Sequence, residues 1–176
     1  MINRRHIRIK IMQSVYAILQ SNSENLNKEE RFLRDSIDKM YDLYVLSLSI
    51  IVDVKEMASK HLEIAKKKHL ASSEDKNPNT KFTDNRFIAV LDKSTSLKDY
   101  IEDKKLDNWK IDSEFVRIIW DLIQESAIYS KYIETRTSSF EDDKKFVLDV
   151  FKDIIAPNEK LADYFEDKNI SWVDDI

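Results

Sequence analysis

Leu43-Tyr44-Val45-Leu46-Ser47-Leu48-Ser49-Ile50-Ile51-Val52-Asp53-Val54 is the stretch on which the fold turns. Wound at 3.6 residues per turn, its apolar side chains point in nearly every direction, so a helix here calls for other elements around it. The stripe continues both ways, through Leu33, Ile37 and Met40 before it and Ala58 and Leu62 after it. Asn27 with Glu30 makes a capping pair at the start. These features predict one helix over 27–69, a central helix of about 40 residues. Leu43 to Val52 holds only ten residues, two of them serine, whereas a bilayer-spanning helix needs about 20 apolar residues. The run is therefore read as a buried helix segment and no membrane association is expected.

Composition extends this reading to the whole chain. Average usage would place about 12 glycines in 176 residues, and the sequence has none. Tight hairpins, doubly wound folds and phosphate loops all rely on glycine. What remains is an all-α helical bundle with no sheet. Asn22, Asn25, Asn77, Asn108 and Asn169 are the residues expected at left-handed helix ends. With 42% apolar residues the chain can build one sizeable core or two small ones. The absence of cysteine excludes disulfides and thiolate chemistry and fits a reducing cytoplasm. Arg8 and Lys10 interrupt the apolar segment that a secretion signal would need.

Seven helices are predicted. The first covers 3–22 and the second 27–69. A polar loop with Pro78 occupies 72–81, and short helices follow at 83–93 and 96–106. A longer helix over 112–134 would turn Phe115, Ile118, Ile119, Leu122, Ile123, Ser126 and Tyr129 to one side. Ser138 with Glu141 reads as a capping box for the sixth helix, and Pro157 as the first turn of the seventh. Tyr100-Ile101-Glu102-Asp103-Lys104 before Trp109 is echoed by Tyr164-Phe165-Glu166-Asp167-Lys168 before Trp172. Either a duplicated helix-turn element or the coincidence of two acidic amphipathic helices accounts for it.

The first helix concentrates positive charge on a chain of net charge −4. Arg4, Arg8 and, more loosely, Arg5 share one side, with Lys10 as a fourth cation, while Ile7, Ile11, Val15 and Ile18 run down another. The expectation is that the aliphatic face docks on a core and the guanidinium groups face an anionic partner. Planar guanidinium suits phosphate, and the interleaved isoleucines argue against a disordered basic tail. The alternative is an ordinary solvated face. Tyr16 likewise has two readings, as a core residue ending the aliphatic stripe or as a platform for an unpaired base. Lys66-Lys67-Lys68-His69 is either a second RNA contact or a set of cations favoured at a helix C-terminus.

The string Arg4-Arg5-x-x-Arg8 followed by Gln13, a small residue, an aliphatic residue and Tyr16 resembles the opening helix of the NusB family of transcription antitermination factors. Residues 145–172 resemble a later part of the same pattern, with Asn158, Asp163 and Trp172 at the matching positions. The two pieces together cover roughly 50 residues. The resemblance implies a NusB-like helical half formed by 1–22 and 139–176, with 23–138 an insertion or elaboration. It also implies a chain ending where the family's second helical half begins, leaving Phe151, Ile155 and Phe165 as apolar surface and self-association as a consequence. The implied function is binding of a boxA-type single-stranded element in nascent ribosomal RNA, together with ribosomal protein NusE and an elongating RNA polymerase complex. The implied RNA contacts are Arg4, Arg5, Arg8, Gln13 and Tyr16.

No catalytic apparatus is visible. The chain lacks a P-loop, a dinucleotide fingerprint and a His-Glu-x-x-His motif. Its histidines, His6, His61 and His69, are not spaced as metal ligands, and Asp142-Asp143 and Asp174-Asp175 are expected on exposed segments, without the apolar shielding of an acid–base pair. No enzyme activity, metal or cofactor is expected. Two other readings stand: a helical scaffold that binds another protein through its long second helix, and a NusB-like accessory domain of an RNA methyltransferase.

Overall fold

The computed structural model describes residues 4–21, 24–67 and 77–172. Among them every regular element is a helix and no strand occurs, as the glycine-free sequence predicts. The helices are α1 (Arg4–Ser21), α2 (Leu26–Lys66), α3 (Arg86–Asp92), α4 (Thr95–Lys104), α5 (Asn108–Ile111), α6 (Ser113–Glu125), α7 (Ala127–Ile133), α8 (Phe140–Val150) and α9 (Glu159–Lys168). A π-helical turn, Phe151–Ile155, extends α8, and a 3-10 turn, Ile170–Trp172, follows α9.

The long central helix is present, 41 residues in α2, and Met40, Leu43, Val45, Leu46, Ile50, Ile51, Val54 and Ala58 along it are buried. Its start differs from expectation. Asn25, not Asn27, caps it, by accepting the Lys28 backbone N–H at 3.1 Å on its side-chain oxygen.

The chain forms two compact units, Met1–Val45 with Glu159–Ile176, and Leu46–Asn158. These limits lie elsewhere than the division into 1–22 with 139–176 and 23–138. The N-terminal part of α2 belongs with the terminal segments, and α8 belongs with the second unit, because each buries its apolar residues there.

In the first unit Leu161, Tyr164, Phe165 and Trp172 are buried, and the Phe165 and Trp172 rings meet edge to face at 5.8 Å. The Trp172 indole donates to the Lys39 carbonyl at 2.6 Å. The aliphatic face expected of α1 is not its docking face. Its buried residues are Lys10 and Ser14, one turn apart, while Ile7, Ile11 and Val15 are exposed. Lys10 places its stem inside and satisfies its ammonium on the Ser171 carbonyl at 2.6 Å, a polar solution that an apolar-periodicity argument does not anticipate.

In the second unit Phe82 is the hub of an aromatic core, stacked on Trp120 at 4.9 Å and edge to face with Phe146 at 5.9 Å. The helix expected over 112–134 is two helices. Ser126 adopts an extended conformation between them, donates to the Ile123 carbonyl at 2.7 Å and accepts the Tyr129 N–H at 3.0 Å, so one hydroxyl ends α6 and starts α7. The buried face of α6 is accordingly Val116, Ile119, Trp120 and Ile123, with Leu122 exposed. The capping box of α8 pairs Ser139 with Asp142, not Ser138 with Glu141. Ser138 instead donates to buried Asp143, which also accepts from the Tyr132 hydroxyl at 2.5 Å and the Arg86 N–H at 3.0 Å. Pro157 lies in the turn before α9, not in its first turn. Ile155 and Phe165 are buried and Phe151 is half-buried, so they do not form the exposed apolar surface expected of them.

The left-handed helix end falls on Lys105, at φ 55°, the one positive φ among the described residues. Asn25, Asn77, Asn108 and Asn169 do not take that conformation, and Asn22 lies outside the described residues. Lys105 is held there by its N–H on the Glu102 carbonyl at 3.2 Å, and the next N–H, Leu106, bonds the Ile101 carbonyl at 2.9 Å.

Candidate nucleic-acid interface

The residues selected from sequence lie on α1, and the turn of the helix decides which of them share a face. Relative to Arg4, an ideal helix turns Arg8 by about 40°, Arg5 by about 100°, Tyr16 by about 120° and Gln13 by about 180°. Arg4, Arg5, Arg8 and Tyr16 are all exposed, Tyr16 to 64%. Gln13 is half-buried and lies past the edge of their arc. The helix therefore brings together three guanidinium groups and one aromatic ring, and sets Gln13 to one side.

Lys10, the fourth cation of the segment, leaves this surface altogether. It is 3% exposed and its ammonium faces the Ser171 carbonyl. The surface charge of α1 is thus carried by arginines, with fork-shaped donors suited to phosphate oxygens. From Arg4 to Tyr16 the rise is about 18 Å, so the arginines and the tyrosine address different points along a bound strand.

On the same arc stand Met12, between the arginines and Tyr16, and Leu19, beyond Tyr16, 66% and 70% exposed, with Val15 beside them. Periodicity did not mark these as surface residues, since it shows that apolar positions share an arc and not whether the fold covers that arc. Tyr16 falls in the same uncovered arc, which removes the core reading for it.

The three C-terminal positions of the resemblance are scattered by environment. Trp172 is buried, Asn158 is half-buried and Asp163 is exposed on α9. Lys66 and Lys67 are exposed at the end of α2, in the second unit, while Lys68 and His69 lie outside the described residues. Among the described residues no group of acidic residues and histidines is placed to hold a metal ion, and no helix is long and apolar enough to cross a membrane.

No protein-family model matches this chain, and neither a curated protein nor a solved structure matches it.

Proposed function

We propose that this chain is a NusB-like, non-enzymatic RNA-binding factor of transcription antitermination, with α1 as its RNA-binding element. The observation that carries the reading is the exposure of Arg4, Arg5, Arg8 and Tyr16 on one side of an ordered helix. Guanidinium groups bind the phosphates of a single strand wherever they lie, and an exposed tyrosine stacks on an unpaired base. The RNA called for is a boxA-type single-stranded element of nascent ribosomal RNA. Gln13, at the edge of the arc, reaches only a strand that wraps past Tyr16.

The apolar residues interleaved with the arginines favour a protein surface beside the RNA. Met12, Val15 and Leu19 add nothing to phosphate binding, yet an exposed apolar strip gains by being covered. In this reading the covering partner is NusE, within an RNA polymerase elongation complex in the cytoplasm.

The test is fluorescence anisotropy with a boxA-containing single strand and a permuted strand of the same length and composition. Tighter binding of the boxA strand, lost on reversing Arg4 and Arg5 to Glu, is the expected result. Equal affinity of parent and reversed protein would remove RNA from the reading.

A further inference from the structure

The second unit contains a cleft of about 540 Å³ between α2, α3, α4 and α5. Its apolar walls are Val52, Leu91, Leu97, Ile101, Leu106 and Trp109. The volume lies within the range of small-molecule sites, about 300–1,000 Å³. Such a space, walled by aliphatic groups and one indole ring, suits an apolar body of modest size.

Among the described residues, four of the six charged groups lining the cleft are paired, and the two that are not are Glu102, at the exposed rim, and Asp53. Asp92 is flanked by Lys98 at 3.5 Å and Lys55 at 3.9 Å, and Asp107 holds Lys110 at 2.7 Å. Asp53, on α2, also lines the cleft, yet among the described residues no hydrogen bond or ion pair reaches its carboxylate. Burial pushes its pKa up to about 6, Glu56 and Asp92 push the same way, and Lys110 and Lys60 oppose them from a distance. A half-buried carboxylate in this position is stabilised by any cation brought to it.

We propose that the cleft binds a small organic cation, an ammonium group on an apolar body, with the Asp53 carboxylate as counter-ion and Trp109 and its aliphatic neighbours around the body. An anion is disfavoured, since Lys98 and Lys110 are already paired and Asp53 and Glu102 would repel it. A bare metal ion is disfavoured as well, because no cluster of ligating side chains is present among the described residues. The cleft is built wholly from residues of the second unit and the proposal does not rest on the RNA reading.

The test uses the full chain, with benzylammonium chloride as probe and benzyl alcohol as its neutral counterpart, followed by NMR at the Trp109 indole N–H. Benzylammonium is expected to shift that signal saturably, and benzyl alcohol to bind about tenfold more weakly. Asp53→Asn keeps the shape and should lower the benzylammonium affinity to that of the alcohol, while Glu102→Gln, at the exposed rim, should change it by no more than about twofold. Acidification through pH 6 should release the probe from the parent and not from Asp53→Asn, although Glu56, Asp92, Glu102 and Asp107 also face the cleft region and Lys55, Lys60, Lys98 and Lys110 keep their charge. No saturable shift, undiminished binding by Asp53→Asn, an equal loss in Glu102→Gln, or a pH dependence that survives Asp53→Asn would overturn the proposal.

Discussion

The ammonium of Lys10 donates to the backbone carbonyl of Ser171 at 2.6 Å, and Lys10 is almost wholly buried in doing so. This contact ties α1 to the turn after α9, 161 residues away in the chain. It also decides which way α1 faces. With Lys10 and Ser14 turned inward, the arc that carries Arg4, Arg8, Met12, Val15 and Leu19 is turned outward, and the residues that look like a docking stripe become surface.

Lys10→Met keeps most of the buried stem and removes the donor. Stability should fall by about 1–3 kcal/mol, the cost of a buried carbonyl left without its partner. Urea denaturation with an unchanged m-value measures it. A loss below about 0.5 kcal/mol would show that water replaces the ammonium.

RNA binding through α1 should be shallow in salt. Three arginines meeting phosphate give a log-log slope of about −2 for a single strand, and Arg4→Glu with Arg5→Glu should reduce it while leaving the thermal midpoint nearly unchanged. Anisotropy titrations over a range of salt concentration read the slope directly.

Tyr16 is exposed, so stability and binding should separate cleanly. Tyr16→Ala is expected to change unfolding free energy by less than about 0.5 kcal/mol and to weaken RNA binding by about 1–3 kcal/mol if its ring stacks on a base. Wild-type affinity in the folded variant would leave the arginines as the RNA contacts.

Asp143 gathers three donors inside the second unit, from Tyr132, Ser138 and the Arg86 N–H. Asp143→Ala strands all of them and should cost about 3–5 kcal/mol, whereas Tyr132→Phe removes one donor and should cost about 1–2 kcal/mol. Thermal melts of the two variants, followed by the helical circular-dichroism signal, test the ordering.

Asp53 should make the protein less stable as the pH rises from about 4 to 6. Its folded value, about 6, lies above the ordinary 3.8, so the folded state binds more protons than the unfolded one in that window. The contribution is fully present below about 4 and is lost as the pH passes 6. Asp53→Asn should therefore stabilise the chain at pH 7 by about 1–2 kcal/mol, discounted for the solvent that reaches the group, and flatten the profile across the window. An unchanged profile would show that Asp53 is better solvated than its burial implies.

The amino-acid order is enough to read the helical class and the central helix. With no glycine and an apolar run from Leu43 to Val54, no other regular structure is open to the chain, and period and composition are local properties that survive any arrangement of neighbours. It also placed three arginines and Tyr16 within reach of one face, since helix geometry needs only the spacing. Tertiary structure decided which faces are covered. Ser126 reads as one more position on the 112–134 stripe until Tyr129 and Tyr132 are needed against Phe82 and Phe146, and then its hydroxyl closes one helix and opens the next. Charge favours water and makes Lys10 a surface cation by sequence, yet in the fold its ammonium is received inside, on the Ser171 carbonyl among its partners. Asp53 is the one acid in the run from Leu43 to Val54, a signal open to view, but its meaning depends on Leu91, Leu97 and Trp109, which arrive from helices far along the chain. Burial is a property of what packs against a residue, and that is decided by long-range contacts that no local pattern encodes.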